Sequence, residues 1–319
     1  MLTRNVLGAA RKAGCRFIST VEVIEVGPRD GLQNEKVSVP TSVKVQLCNS
    51  LVDAGVTRIE TTSYVSPKWV PQMSDNIDVM SSLVSIPSSV EVSVLTPNLK
   101  GLENAKLSGR VDTVSVFGAA SESFSQKNIN CSIEESIQRF SAVAETARAG
   151  GLKVRGYVSC IAACPYEGPI DPKNVVKVWR LLKDLGCYEV SLGDTIGVAT
   201  PNQIEKVLNA LVAEGADVNE LAGHYHDTCG TALTNVLKSL DLGLSKFDSS
   251  AAGLGGCPYA AGASGNLATE DLVYLCDGLG IETGIDFGKV VKASEATLEV
   301  IGITNRSKSA QAWQAKQKM

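Results

Sequence analysis

The chain has 319 residues, 44% of them hydrophobic, and a mean hydropathy of +0.07, which suits one large globular domain with a substantial core. No apolar run approaches the roughly 18 residues that a membrane-spanning helix requires. The 30 basic and 34 acidic residues give a net charge of -4, so nucleic acid and anionic membrane are poor partners.

Residues 1–20 differ from the rest. Arg4, Arg11, Lys12 and Arg16 are basic, Ser and Thr are present, no acid precedes Glu22, and no apolar secretory stretch follows. This composition predicts a mitochondrial transit peptide and hence the mitochondrial matrix; a basic arm is the alternative. Without those four charges the chain keeps 26 basic residues against 34 acidic ones, a net -8. The nine cysteines are odd in number and scattered, as expected of reduced thiols rather than a disulfide framework. Cys160 and Cys164 have ligand-like spacing, but no second pair completes a zinc ribbon.

From Val21 onward a short β-branched run followed by a helical pattern repeats. Strands are predicted to start near Val21, Thr57, Val90, Val111, Lys153, Tyr188, Leu221 and Lys246. Amphipathic helices are predicted over Thr41–Ala54, Ile133–Ala149, Pro172–Leu185, Pro201–Ala213 and Thr231–Leu242. Gly55, Gly150, Gly186, Gly215 and Gly243 stand where helix C-caps belong, and Pro172 and Pro201 near first-turn positions. Eight such units predict an α/β fold, a (β/α)8 TIM barrel over 21–285, with a short helical extension and polar tail over 286–319. An open doubly wound sheet would need a G-x-G-x-x-G turn after the first strand, and the sequence Val26-Gly27-Pro28-Arg29-Asp30-Gly31 does not supply it.

In such a barrel, chemistry gathers at the carboxyl ends of the strands. Arg29 and Asp30 follow strand 1, Glu60 is placed at the end of strand 2, and Asp194 ends strand 6. His224 and His226, the two histidines of the chain, end strand 7; Cys257, Asn266 and Glu270 follow strand 8. Residues two apart on a strand share a face, so both imidazoles can hold one cation. Closure places strands 1, 2, 7 and 8 side by side, where Asp30, both histidines and Asn266 meet around one ion. Taken singly, each residue has a structural explanation. Asp30-Gly31 is a common turn pair, and Glu60 and Asp194 suit ion pairs in the barrel mouth. Gly253 to Tyr259 makes a lid, a phosphate cradle or a long turn. Their joint placement favours a site.

Four stretches carry a more specific resemblance: Gly27-Pro28-Arg29-Asp30-Gly31-Leu32-Gln33-Asn34-Glu35, Ser191-Leu192-Gly193-Asp194-Thr195-Ile196-Gly197, His224-Tyr225-His226-Asp227, and Gly253-Leu254-Gly255-Gly256-Cys257-Pro258-Tyr259. In this order, from about Val21 to Gly280, they resemble the 3-hydroxy-3-methylglutaryl-CoA lyase family, within the wider group of metal-dependent lyases and Claisen-type synthases that share an Arg-Asp-Gly motif. The resemblance implies cleavage of 3-hydroxy-3-methylglutaryl-CoA to acetoacetate and acetyl-CoA, as in leucine catabolism and ketone-body formation. It implies a magnesium or manganese ion on Asp30, His224, His226 and Asn266. Arg29, Asp30, His224, Cys257, Glu60 and Asp194 are the expected catalytic set, with Arg29 facing the thioester and Cys257 serving as acid-base group. Arg29, Gln33, Lys127 and Glu270 are the expected acyl-CoA contacts, Lys127 from a loop read over Ser121–Asn130. A homodimer is the expected assembly. The tail ends Gln317-Lys318-Met319 without a cysteine beyond Cys276 or a Ser-Lys-Leu terminus, so tail-thiol regulation and peroxisomal targeting are not expected.

The chemistry agrees with that implication. Cleaving a tertiary 3-hydroxy thioester needs a Lewis acid on the hydroxyl and a cation at the enolate, and the enolate carbon then needs a proton. A thiol, with an ordinary pKa near 8.5, is a tunable donor. Two other readings stay open here: a synthase condensing acetyl-CoA with a 2-oxo acid, and a barrel that binds metal or acyl-CoA without catalysis. The first commonly carries an extra regulatory domain. The second would be expected to have lost one of Arg29, Asp30, His226 or Cys257.

Overall fold

The computed structural model describes residues 18–256 and 265–317. Eight parallel strands close into a barrel: β1 (Glu22–Glu25), β2 (Arg58–Ser63), β3 (Glu91–Leu95), β4 (Thr113–Ala119), β5 (Lys153–Ser159), β6 (Glu189–Asp194), β7 (Leu221–Tyr225) and β8 (Lys246–Ser249). The β1–β8 pairing that seals it runs from Glu22 opposite Lys246 to Glu25 opposite Ser249. This is the predicted (β/α)8 barrel, and each predicted strand start lies within two residues of the observed one.

Helices alternate with the strands: α1 (Thr41–Asp53), α2 (Asn76–Ser82), α3 (Leu99–Ser108), α4 (Glu122–Ile129), α5 (Ile133–Ala149), α6 (Pro172–Asp184), α7 (Pro201–Ala213), α8 (Ala232–Asp241) and α9 (Thr269–Leu279). Local chemistry sets their ends. Ser132 and Glu135 cap α5 reciprocally, and Asp171 caps α6 one residue before Pro172. After α1, Gly55 has φ +105°, and a Cβ there would stand 2.2 Å from the Gly284 carbonyl oxygen, so only glycine fits.

Two sequence expectations are corrected. Ser121–Asn130 is not a loop: the Ser121 hydroxyl accepts the Phe124 N–H at 3.0 Å and starts α4, which Asn130 ends in the left-handed conformation. Glu60 does not end β2. The strand runs on to Ser63 through an irregularity between Glu60 and Thr62, so Glu60 sits lower in the barrel than its sequence position suggested. Beyond the barrel, the helical extension is α10 (Phe287–Ala293) and α11 (Glu295–Ile301), and the polar tail carries α12 (Lys308–Gln317).

The apolar core lies between sheet and helices, not inside the barrel. Ile59, Val92, Val94, Val114, Val116, Val154, Val158, Val190, Leu192 and Phe247 are all buried on the outward faces of the strands. Inward positions are largely polar, with Ile24, Leu95 and Ala222 among the apolar exceptions, and contacts between non-adjacent strands show that they meet across the lumen. Arg58 (β2) bonds Glu189 (β6) at 3.0 and 3.1 Å, and Tyr157 (β5) bonds Glu60 (β2) at 3.1 Å. Arg155, 1% exposed, spans Glu189 at 2.7 Å and Asp248 (β8) at 2.7 Å. Removing one member of a buried charge set strands the others. Arg155→Met is therefore expected to lower stability by about 3–5 kcal/mol, read from urea unfolding midpoints, with Arg155→Lys falling between. A midpoint close to that of the natural chain would mean the lumen charges are not coupled through Arg155.

Candidate active site

Beyond β1 the chain makes a π-helical turn, Gly27–Gly31, in which the Gly31 N–H reaches back to the Val26 carbonyl at 3.1 Å. The turn sends Arg29 into the barrel mouth and sets Asp30 beside it. Glu25 anchors it to the far side of the seam: its carboxylate accepts the Gly27 N–H (2.8 Å), the Ala251 N–H (3.0 Å) and the Thr269 hydroxyl (2.5 Å). Arg29 is 6% exposed; its Nε donates to Glu60 at 2.6 Å and its Nη1 to Asp30 at 2.6 Å. The guanidinium carbon stands 5.5 Å from the centre of the Tyr157 ring. Burial works against its charge, but Glu60 and Asp30 outweigh that and keep Arg29 cationic. A guanidinium carries five N–H donors, so held in this way it still has donors to offer a ligand. The second Glu60 oxygen, Oε1, is buried without a partner.

The two imidazoles stand on β7 and just beyond it, with their Nε2 atoms 3.3 Å apart. Asp248 holds the other ring nitrogen of His224, Nδ1, at 3.0 Å. A carboxylate there selects the tautomer with hydrogen on Nδ1 and leaves Nε2 as a lone pair. Burial, with His224 beside it, pushes His226 down to about 4, so that ring is neutral at physiological pH. Burial opposes ionisation of Asp30 as well, yet Arg29, with His224 nearby, holds it well below the usual carboxylate range. One donor atom each from Asp30, His224 and His226 lies within 4.8 Å of the others. One carboxylate and two imidazoles gathered this closely fit a divalent cation; against burial, Asp248 and Asp30 raise His224 above the ordinary imidazole range, and a cation would displace that proton. Asn266 is beside them, bridged to His226 through the backbone. Its Nδ2 donates to Asp30 at 2.8 Å and to the Leu254 carbonyl at 3.2 Å. The amide thus presents its nitrogen to the cluster, and a half-turn of the side chain would present its oxygen.

The remaining predicted residues are dispersed. Asp194 accepts the N–H groups of Val198 and Ala199 at 3.3 and 2.9 Å, and burial lifts it to about 6. Glu270 is fully buried behind the β8 loop, where it accepts the Ala252 N–H and an Asn305 amide. Gln33 follows the strand-1 turn and is partly exposed, with its Oε1 buried and unpartnered. Lys127 is exposed on α4. Cys257 lies outside the described residues. Cys164 receives the Ser121 hydroxyl at 3.0 Å, and neither it nor Cys160 belongs to a metal-ligating cluster among the described residues. Sequence reasoning missed Glu25, Arg155, Tyr157, Glu189 and Asp248. Their signal was parity: Arg155 and Tyr157 alternate with Val154, Gly156 and Val158, as inward residues of a strand buried on both faces must.

Comparison with known proteins gives a consistent result. The HMGL-like family profile matches residues 20–297. The bovine (Bos taurus) mitochondrial hydroxymethylglutaryl-CoA lyase is 54% identical over 296 residues, which cover 93% of this chain and 90% of that protein. The cytoplasmic 3-hydroxy-3-methylglutaryl-CoA lyase of Mus musculus is 53% identical over 292 residues, 92% of this chain and 84% of that one. The crystal structure of hydroxymethylglutaryl-CoA lyase from Pseudomonas aeruginosa superposes with a TM-score of 0.90 at 50% identity, covering 94% of this chain and 99% of that one.

Glu25 generates a pH prediction. Burial raises its carboxyl to about 7, against the partial relief of its three hydrogen bonds. Between the ordinary value of 4.5 and about 7 the folded chain holds a proton that the unfolded chain has lost. The stabilisation tied to that proton is complete below 4.5 and is lost as pH rises through about 7. Glu25→Gln removes this loss. The variant is expected to gain on the natural chain by on the order of 2 kcal/mol between pH 5 and pH 8 in urea melts. A difference independent of pH would show that Glu25 does not titrate in the folded protein.

Proposed function

We propose a catalytic course for this chain from the premise that it belongs to the HMGL-like family, among whose hydroxymethylglutaryl-CoA lyases it stands. It is a carbon–carbon lyase that cleaves 3-hydroxy-3-methylglutaryl-CoA to acetoacetate and acetyl-CoA. The observation that carries the course is the contact of a buried, cationic Arg29 with the Asp30–His224–His226 cluster, which puts an enolate-stabilising charge beside a metal-ligating set.

In this reading Asp30, His224, His226 and, through its amide oxygen, Asn266 hold magnesium or manganese. The bound cation supplies Lewis-acid polarisation of the substrate's 3-hydroxyl. Two nitrogens and two hard oxygens without a thiolate support that choice over zinc. Asp30 remains ionised through the working pH range and accepts the hydroxyl's hydrogen bond. As the hydroxyl becomes a ketone, its proton passes to the Asp30 carboxylate that accepts its hydrogen bond and leaves to solvent, from which the Cys257 thiolate is reprotonated at the end of the cycle. The C2–C3 bond breaks and its electron pair moves onto the thioester. Arg29 meets the enolate oxygen, already oriented by Glu60 and by the face of Tyr157, so little reorganisation accompanies the charge. Cys257 delivers the proton to the enolate carbon, completing acetyl-CoA. Gln33 beside the strand-1 turn contacts the acyl group. Lys127, exposed on the helix after β4, meets the CoA phosphates. Glu270 and Asp194 act from behind by fixing the β8 and β6 loops. The basic, acid-free residues 1–20, with the likeness to the bovine mitochondrial enzyme, support a transit peptide and the mitochondrial matrix; the mouse cytoplasmic relative shows that a similar lyase is also found outside mitochondria.

The direct test is acetoacetate formation by purified protein. Exhaustive chelation is expected to abolish it, magnesium or manganese to restore it, and excess zinc to restore little. Full turnover by metal-free protein would remove the cluster from the reaction. Arg29→Lys keeps the charge but loses the planar fork. Turnover is expected to fall on the order of 10²-fold with little change in metal affinity by calorimetry. Natural turnover in that variant would exclude Arg29 from the chemistry.

A further inference from the structure

Gly253-Leu254-Gly255-Gly256 leaves β8 without a strand partner, yet each of its four carbonyls meets a side-chain donor. Arg306 Nη1 donates to Gly253 O at 3.3 Å and to Gly255 O at 2.7 Å. Asn266 Nδ2 reaches Leu254 O at 3.2 Å, and Asn34 Nδ2 reaches Gly256 O at 2.9 Å. The donors come from three places: Asn266 from the metal-ligating cluster, Asn34 from the strand-1 motif, and Arg306 from the extension beyond the barrel. Gly253 and Gly255 both have positive φ, at +63° and +121°, conformations that stay defined only when surrounding contacts hold them. The returning chain is fitted just as tightly, since a Cβ on Gly265 would lie 1.9 Å from the Gly253 oxygen.

Arg306 is the donor with no other place in the site. Its backbone N–H binds Ala252 O at 3.1 Å, and its Nη2 pairs with Glu35 at 3.5 Å. Glu35 lies on the same connection as Arg29 and Asp30. The guanidinium therefore bridges the segment leading to residue 257 and the segment carrying the enolate-binding arginine. We infer that Arg306 is a positioning residue for the cleavage: it sets the glycine segment against the Arg29–Asp30 turn, and the C-terminal extension is through it a working part of the site. This rests on the lyase reading above, because it assigns the geometry to the proton delivery expected of Cys257. Five donors in one plane can serve two carbonyls and a carboxylate together, which a lysine ammonium on a single point cannot match. A cavity of about 330 Å³ opens beside it, lined among others by Glu35, Val37, Gly255, Ile303 and Arg306.

The test compares the natural chain with Arg306→Ala and Arg306→Lys. Arg306→Ala is expected to lower kcat about 10- to 100-fold, the cost of a misplaced catalytic segment, with KM and metal affinity changed by less than about threefold. Arg306→Lys should lie between. Millimolar guanidinium ion, which the adjoining cavity can admit, should restore part of the kcat of Arg306→Ala and none of that of Arg29→Lys. Hydrogen exchange should quicken in Arg306→Ala across 252–256 and stay unchanged in β4 and β5. Unchanged exchange there, or natural kcat in the alanine variant, overturns the inference. A loss of kcat with global destabilisation and no guanidinium rescue overturns it too, in favour of a structural role. If the natural chain forms no acetoacetate, the lyase reading fails, while the exchange measurement still decides whether Arg306 fixes the segment.

Discussion

Arg155 is the group on which the arrangement depends. It is buried in the barrel lumen between Glu189 and Asp248, and the charges around it form a closed circuit. Arg155 donates to Tyr157, Tyr157 to Glu60, and Glu60 holds Arg29. Arg29 holds Asp30, Asp30 stands 3.8 Å from His224, and His224 returns to Asp248 and so to Arg155. A charge in a dry interior is tolerated only with a partner in good geometry. Arg155–Asp248 and Tyr157–Glu60 join strands that are not neighbours, and His224–Asp248 joins β7 to β8, so satisfying the charges also fixes where β2, β5, β7 and β8 stand across the lumen. Asp30 and His224, two of the candidate metal ligands, and Arg29 are positioned by the same circuit.

Carboxylates fall into two groups according to what answers them. Asp30, Glu189 and Asp248 face guanidiniums, and each is held below the usual range despite burial. Glu25, Asp194 and Glu270 face backbone N–H groups instead, and burial lifts them to about 7, 6 and 7. The first group carries permanent charge to the site. The second is found where loops leave the strands, and its work is mechanical: Glu25 and Glu270 take the N–H groups of Ala251 and Ala252, which begin the glycine segment.

Much of this was legible in the sequence. Eight β-branched runs with glycine-closed helices give the barrel because parallel strands buried on both faces read as continuous apolar runs, and the helices between them obey the 3.6-residue period. The motif-bearing ends were legible too: Asp30, His224, His226 and Asn266 do converge. What was not legible has a physical cause in each case. Glu60 was set too high because a local register change is invisible in sequence. The stretch around Lys127 read as a loop because its polar residues have no apolar stripe, whereas Ser121 supplies a cap that decides the matter. Arg155 and Asp248 were missed because their role depends on which strands face each other across the lumen, a relation separated by 93 residues.

The separation of core from lumen explains how so polar a site is held in place. Alternation along the strands sends most Val, Leu and Ile outward against the helices and leaves most inward positions free of any duty to bury apolar area. A slip of one residue in any strand would exchange the two sets, placing guanidiniums against the helices and valines in the lumen, and both changes are costly. The register is thus fixed twice, by apolar burial outside and by charge pairing inside. Because the outer contacts supply most of the burial, the inner surface is free to carry chemistry. The chain need only gather its unusual groups at one end of the strands, and the turn at Gly27–Gly31 and the segment at Gly253–Gly256 do this across the seam where β8 closes on β1.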